Sequence, residues 1–204
     1  MSPNTRLDEN SRWKGQVSPK ALVALSVLVW ENAQIREGAK VGENCIIGRG
    51  AYIGSGVIIG NNCKIQNYAL IYEPAVLADG VFIGPNVVLT NDRNPRAINP
   101  DGTLKAASDW AQIGVTVNHG ASIGAHSVCV APVTIGEWAM IGSGSTVIHD
   151  VPSFALVVGN PARQIGWVSK GGFKMYETSA GIWECPSTGC QYKLNAGEMR
   201  ETTQ

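Results

Sequence analysis

The chain has 204 residues, enough for one sizeable domain with appendages. Sixteen basic and 16 acidic side chains give a formal net charge of zero, which argues against nucleic acid as a partner, because a phosphate-binding surface needs a basic excess. The opening Met1–Lys14 stretch has no apolar signal core, and the longest apolar run, Ala21 to Trp30, is too short to span a bilayer. No membrane partner is therefore expected, and the location expected is cytoplasmic. The five cysteines, Cys45, Cys63, Cys129, Cys185 and Cys190, read as reduced thiols in such a compartment.

In chain order, residues 1–16 read as an N-terminal leader. From Val17 the sequence repeats every six residues. The first position of each hexad is Val17, Val23, Val29, Ile35, Val41, Ile47, Ile53, Ile59, Ile65, Ile71, Leu77 and Ile83, all aliphatic. The fifth runs from Ala21 to Val87 and is always Ala, Cys or Val. The fourth is rich in Gly and Asn, among them Asn32, Gly38, Asn44, Gly50, Gly56, Asn62, Gly80 and Asn86. A large and a small apolar residue at fixed spacing fill a narrow stacked coil, and Gly and Asn tolerate the left-handed backbone of a sharp corner. Each hexad thus reads as one short strand and one corner. Period six does not keep one face of a 3.6-residue helix, so the helical reading fails.

The columns stop after Leu89. The stretch from Thr90 to about Trp110 reads as a loop thrown out from the coil, of a length that tends to be functional. The columns resume with Val117, Ile123, Cys129, Ile135, Ile141 and Val147 in the first position and Ala121, Ser127, Val133, Ala139, Ser145 and Val151 in the fifth. The coil is thus expected over 17–152, and 153–204 is expected as a C-terminal extension. Within it, Cys185-Pro-Ser-Thr-Gly-Cys190 offers two thiols and no nearby His, where a structural zinc site needs four ligands. It reads as a small hairpin turning at Ser187-Thr-Gly.

The hexads, the loop and the closing Val157-Val-Gly-Asn-Pro-Ala-Arg resemble the hexapeptide-repeat acyltransferases, from about Val17 to Gly171. That resemblance, rather than the periodicity, implies an all-β, left-handed parallel β-helix with three hexads per turn, a homotrimer and acetyl-CoA as co-substrate. Val81-Phe-Ile-Gly-Pro-Asn-Val-Val-Leu-Thr-Asn-Asp-Arg-Asn-Pro-Arg is similar to N-acetyltransferases of UDP- or dTDP-linked 3-amino sugars. Gly159-Asn-Pro-Ala-Arg-Gln-Ile-Gly-Trp-Val-Ser looks like the subgroup acting on UDP-2-acetamido-3-amino-2,3-dideoxyglucuronate for lipopolysaccharide.

By that resemblance Asn91 sits near the reacting amine, where its amide oxygen can aim the nitrogen lone pair; the alternative is a turn Asn bonded to its own backbone. The galactoside and maltose O-acetyltransferases have a catalytic His where this chain has Asn94, before Pro95. An amine needs a strong base less than a hydroxyl does, so the departure favours an amine acceptor. His126 is the candidate base and His119 a second, substrate-side candidate; each is otherwise an exposed His, and His149 reads as surface. Arg93, Asn94 and Arg96 are candidate contacts to pyrophosphate or a sugar carboxylate. Backbone at Ser143 and Gly159 and the side chain of Arg163 are implied to hold coenzyme A. No metal is expected. The runner-up is an O-acetyltransferase using His126 or His119; a remote alternative is a γ-class carbonic anhydrase-like enzyme, which needs three His around zinc where this chain offers only His119 and His126. Neither the nucleotide nor the amine-bearing carbon is readable.

Overall fold

A computed structural model describes residues 15–202; most of the proposed leader, 1–14, lies outside them. The hexads become strands of two or three residues on the three faces of a parallel β-helix. Gln16–Val17 pairs with Gln34–Ile35, and that strand with Tyr52–Ile53, so successive coils are offset by 18 residues. The first face carries Gln16–Val17 up to Thr146–Val147, the second Leu22–Val23 up to Val133–Ile135, and the third Leu28–Val29 up to Met140–Ile141 and Ala155–Gly159. No helix among the described residues is long and apolar enough to cross a membrane.

Side chains alternate in each two-residue strand, so one points out and one points in. Lys40 is exposed and Val41 buried; Lys64 is exposed and Ile65 buried. Stacked inward residues such as Ile35, Ile53, Ile71 and Leu89 form continuous columns with the small Ala33, Ala51, Ala69 and Val87 beside them. Each buried Ile or Leu contributes roughly 1.5–3 kcal/mol. Val17, Ala21 and Val23, at the start of the coil, are only partly covered. Cys45, Cys63 and Cys129 are core fillers, and burial pushes the Cys129 thiol up to about 12.

The corners have positive φ at Asn32, Asn44, Asn62 and Asn86 and at Gly38, Gly50, Gly56 and Gly80. Tyr68, His126, Trp138 and Phe154 adopt it too, at 58°, 59°, 57° and 63°. The corner N–H reaches the coil beneath: Gly38 donates to Lys20 O at 3.1 Å, Asn62 to Glu43 O at 2.8 Å and His126 to Pro85 O at 2.9 Å. Bulky corner side chains lie over glycines of the preceding coil. A Cβ on Gly120 would come within 2.6 Å of the Trp138 ring, and one on Gly50 would strike the Tyr68 ring.

At the loop the register jumps by 40 residues, Val76 to Thr116, instead of the 18 of Ile58 to Val76, so 22 residues are added. The coil resumes at Val115, a few residues beyond the expected Trp110. After the last coil, Ala155–Gly159 pairs parallel with Met140–Ile141 and antiparallel with Ala162–Trp167. The chain ends in a four-stranded antiparallel sheet of Tyr176–Ser179, Ile182–Glu184, Gln191–Asn195 and Glu198–Glu201, larger than the single hairpin expected. The Tyr192 ring meets Phe154 at 5.5 Å between centroids, and Lys170 N–H donates to Tyr192 Oη at 3.1 Å, fixing the sheet to the coil.

Gly56 has φ +69° and open space around its Cα. Gly56→Val therefore meets only the backbone penalty, ~1–2 kcal/mol or more, and its melting temperature should fall by roughly 2–8 °C in a thermal scan.

Candidate functional site

The expected site residues divide among the three edges of the coil. The loop leaves the edge between the first and second faces, after Val88–Leu89 and before Val115–Val117. Asn91 is at its base and half-buried; its carbonyl accepts from Ile113 N–H at 3.4 Å, where the loop closes. Asp92 Oδ1 accepts from Asn94 N–H at 2.7 Å, a local turn that leaves Arg93, Asn94 and Arg96 exposed. Beyond them the chain folds back on itself: Ile98 bridges Leu104, and Lys105 N–H donates to Ala97 O at 3.0 Å. Asp109 ties this fold down, accepting from Ala106 N–H at 2.8 Å and Asn99 Nδ2 at 3.1 Å; these bonds hold its carboxyl below the usual range. The tip exposes Ile98 and Leu104, at 54% and 79%.

His126 lies on the edge between the third and first faces, following Ser122–Ile123 and preceding Val128–Cys129. Its ring is exposed, with Nε2 3.5 Å from Asn86 Nδ2 in the coil below. Ser143 is one coil further on along the same edge, close enough that a Cβ on Gly124 would fall 2.5 Å from Ser143 N. Buried Ser145 donates to Gly142 O at 2.6 Å and accepts from Gly159 N–H at 3.1 Å. This single hydroxyl joins the last corner to the start of the Gly159–Arg163 turn. It also explains Ser in a column of Ala, Cys and Val: the side chain replaces a missing backbone partner. Arg163 is exposed and shares a cavity of about 270 Å³ with His149, Asp150 and Gln164. His149 is exposed, as expected, and borders the same cavity as the candidate phosphate contact.

His119 lies on the third edge, between the second and third faces. It meets the Trp138 ring edge-on at 5.2 Å, and its charge helps hold the Asp79 carboxyl down, behind hydrogen bonds from Asn61. His126, Ser143 and Gly159 therefore share one edge, with Arg163 in the turn that follows. Asn91, Arg93, Asn94 and Arg96 occupy a second edge and His119 the third.

The sequence reading missed Glu73. It stands one coil beneath Asn91, since Ile71 pairs with Leu89. On the other edges Asn61, Asn67 and Asp79 fold back over a glycine and accept a backbone N–H: Glu43 N–H to Asn61, Arg49 N–H to Asn67 and Asn61 N–H to Asp79, at 2.7–3.0 Å. Glu73 also folds back, over Gly54, but its longer side chain leaves Oε2 buried with no hydrogen-bond partner. Among the described residues no three His, Cys, Asp or Glu side chains converge as metal ligands.

Comparison with known proteins matches the repeat and the fold. Residues 26–55 and 56–91 match the family "Bacterial transferase hexapeptide (six repeats)". The dTDP-3-amino-3,6-dideoxy-alpha-D-galactopyranose 3-N-acetyltransferase of Aneurinibacillus thermoaerophilus is 45% identical over 82 residues, 40% of this chain and 41% of that protein. The chain thus spans about two fifths of that relative's length. The crystal structure of a hexapeptide transferase family protein from Anaplasma phagocytophilum superposes with TM-score 0.52 at 18% identity, covering 78% of this chain and 81% of that one. A hexapeptide-repeat acetyltransferase from Vibrio cholerae, solved with acetyl coenzyme A, gives TM-score 0.51 at 22% identity, covering 65% of this chain and 72% of that one. The last two are likenesses of fold. Over residues 26–91 the chain is similar to the hexapeptide-repeat transferases.

Removing the Ser145 hydroxyl strands the Gly159 N–H and should cost about 1–3 kcal/mol. Ser145→Ala is expected to unfold at lower denaturant, since the Gly159 turn loses its anchor.

Proposed function

We propose that the protein is an acetyltransferase that moves the acetyl group of acetyl-CoA to the amino group of a UDP- or dTDP-linked amino sugar, with the 3-amino position favoured. The observation that carries this reading is the 45% identity to a dTDP-3-amino-sugar 3-N-acetyltransferase over 82 residues. It is supported by Asn94, before Pro95, where O-acetylating relatives keep a catalytic His.

The division of residues among edges supports the following mechanism. Coenzyme A lies along the His126 edge, its pantetheine held by backbone at Ser143 and Gly159 and its ribose phosphate by Arg163. The loop on the next edge belongs to the site of a neighbouring copy. Three copies around an axis bring each loop against a neighbour's His126 edge, so the working assembly is a homotrimer, placed in the cytoplasm and serving surface-polysaccharide synthesis. Arg93, Asn94 and Arg96 grip the nucleotide sugar, and His119 is a further contact on its side. Asn91 accepts a hydrogen bond from the amine and aims its lone pair at the thioester carbonyl. The amine attacks, His126 or a water takes its proton, a backbone N–H stabilises the tetrahedral oxyanion, and the CoA thiolate leaves.

The test is thiol release from acetyl-CoA with a panel of UDP- and dTDP-linked 3-amino and 4-amino sugars and their hydroxyl analogues. Release with one amine and none with its hydroxyl analogue is the expected result. Asn91→Ala should then lower kcat/KM on the order of 100-fold, the scale of a misaligned nucleophile. Release with hydroxyl acceptors alone would overturn the reading in favour of O-acetylation.

A further inference from the structure

The C-terminal sheet holds two thiols for which the transfer reaction has no use. Its second and third strands pair Ile182 with Lys193, Trp183 with Tyr192 and Glu184 with Gln191. The next step of this register sets Cys185 against Cys190, and Cys185 N–H donates to Cys190 O at 3.0 Å. Alternation puts both side chains on the face that carries Trp183 and Tyr192, the face turned to the coil. Pro186 to Gly189 closes the turn, with Gly189 N–H donating back to Cys185 O at 2.9 Å. Opposed residues on one face of an antiparallel pair have Cβ atoms about 4.5–5.5 Å apart, near the span of a disulfide.

The two thiols differ in a useful way. Cys190 is half-exposed and Cys185 fully buried. Cys185 Sγ is 3.2 Å from Ser169 Oγ. Burial pushes its thiol up, but hydrogen bonds from Ser169, Thr188 and the backbone N–H groups of Ser187 and Thr188 outweigh that and bring it down to about 7. Both sulfurs are free in this structure.

We propose that Cys185 and Cys190 are a redox pair in which Cys190 meets a peroxide and Cys185 resolves the product into a disulfide that staples the C-terminal sheet. The Cys190 thiolate attacks a peroxide oxygen, the O–O bond breaks, and an alcohol or water leaves with Cys190 as a sulfenic acid. The Cys185 thiolate attacks the Cys190 sulfur, the S–S bond forms and hydroxide leaves. The two electrons that reduce the peroxide come from the two thiols. A thiol reductant reverses the change.

The test uses the native full chain. The protein is treated with hydrogen peroxide, unfolded in an alkylating agent and cut with trypsin. Lys174 and Lys193 release both cysteines in one peptide, Met175–Lys193. The expected product is that peptide, unalkylated and lighter by two hydrogens, restored to double alkylation by dithiothreitol. Cys45, Cys63 and Cys129 stay fully alkylated. In Cys185→Ser the reaction should stop at a Cys190 sulfenic acid that dimedone traps, and in Cys190→Ser residue 185 should stay reduced. Recovery of both cysteines alkylated in the wild type, or of Cys190 as a sulfinic acid beside an alkylated Cys185, would overturn the proposal.

Discussion

Every part of this molecule depends on a backbone that turns through the left-handed region at a corner and gives its N–H to the coil beneath. That hydrogen bond recurs from Gly38 to Gly144 and fixes how far each coil rises on the last. With corner and strand repeating, a residue's face follows from its count along the chain. The inward columns then fill with one larger aliphatic and one small side chain per hexad, and the stacked Ile, Ala and Cys residues exclude water from a narrow core. An insertion is tolerated only where it leaves and rejoins the same corner, which is how the loop between Leu89 and Val115 is carried.

The same regularity separates the chemistry. Three edges cannot converge within one chain, so a loop on one and a His on another stay apart however the side chains rotate. In the proposed site a second copy joins them, and Ile98 and Leu104 at the loop tip are exposed. The Gly159–Arg163 turn, held by the Ser145 hydroxyl, closes the end of the His126 edge.

The fold was largely legible because its signal is periodic. The first and fifth columns identified the core residues from Val27 to Val151, and the Gly and Asn column identified eight corners. His126 was legible as a corner from its place in the hexad, whereas Tyr68 and Trp138 were not, because their rings rest on glycines of other coils that a single hexad does not reveal. The size of the C-terminal sheet was also hidden, since its strands follow no repeat and only the Cys185–Cys190 turn stood out. The candidate site residues stood out in the sequence as residue types at a loop and at two corners. Its division among edges was implicit in the hexad count but became plain only with the register. Glu73 gave no sequence signal: its place over Gly54 is set by a neighbour 19 residues away.

The claim that the site is shared between copies can be tested by mixing two inactive forms. Asn91→Ala removes the loop contribution and His126→Ala the edge contribution. Each is purified, shown to be folded, and then unfolded and refolded together with the other. If the loop of one copy serves the edge of another, mixed assemblies contain some intact sites, and acetyl transfer should reappear well above the sum of the separate variants. Mixed assemblies that form, as shown by mass, yet stay as inactive as their parents would contradict the account.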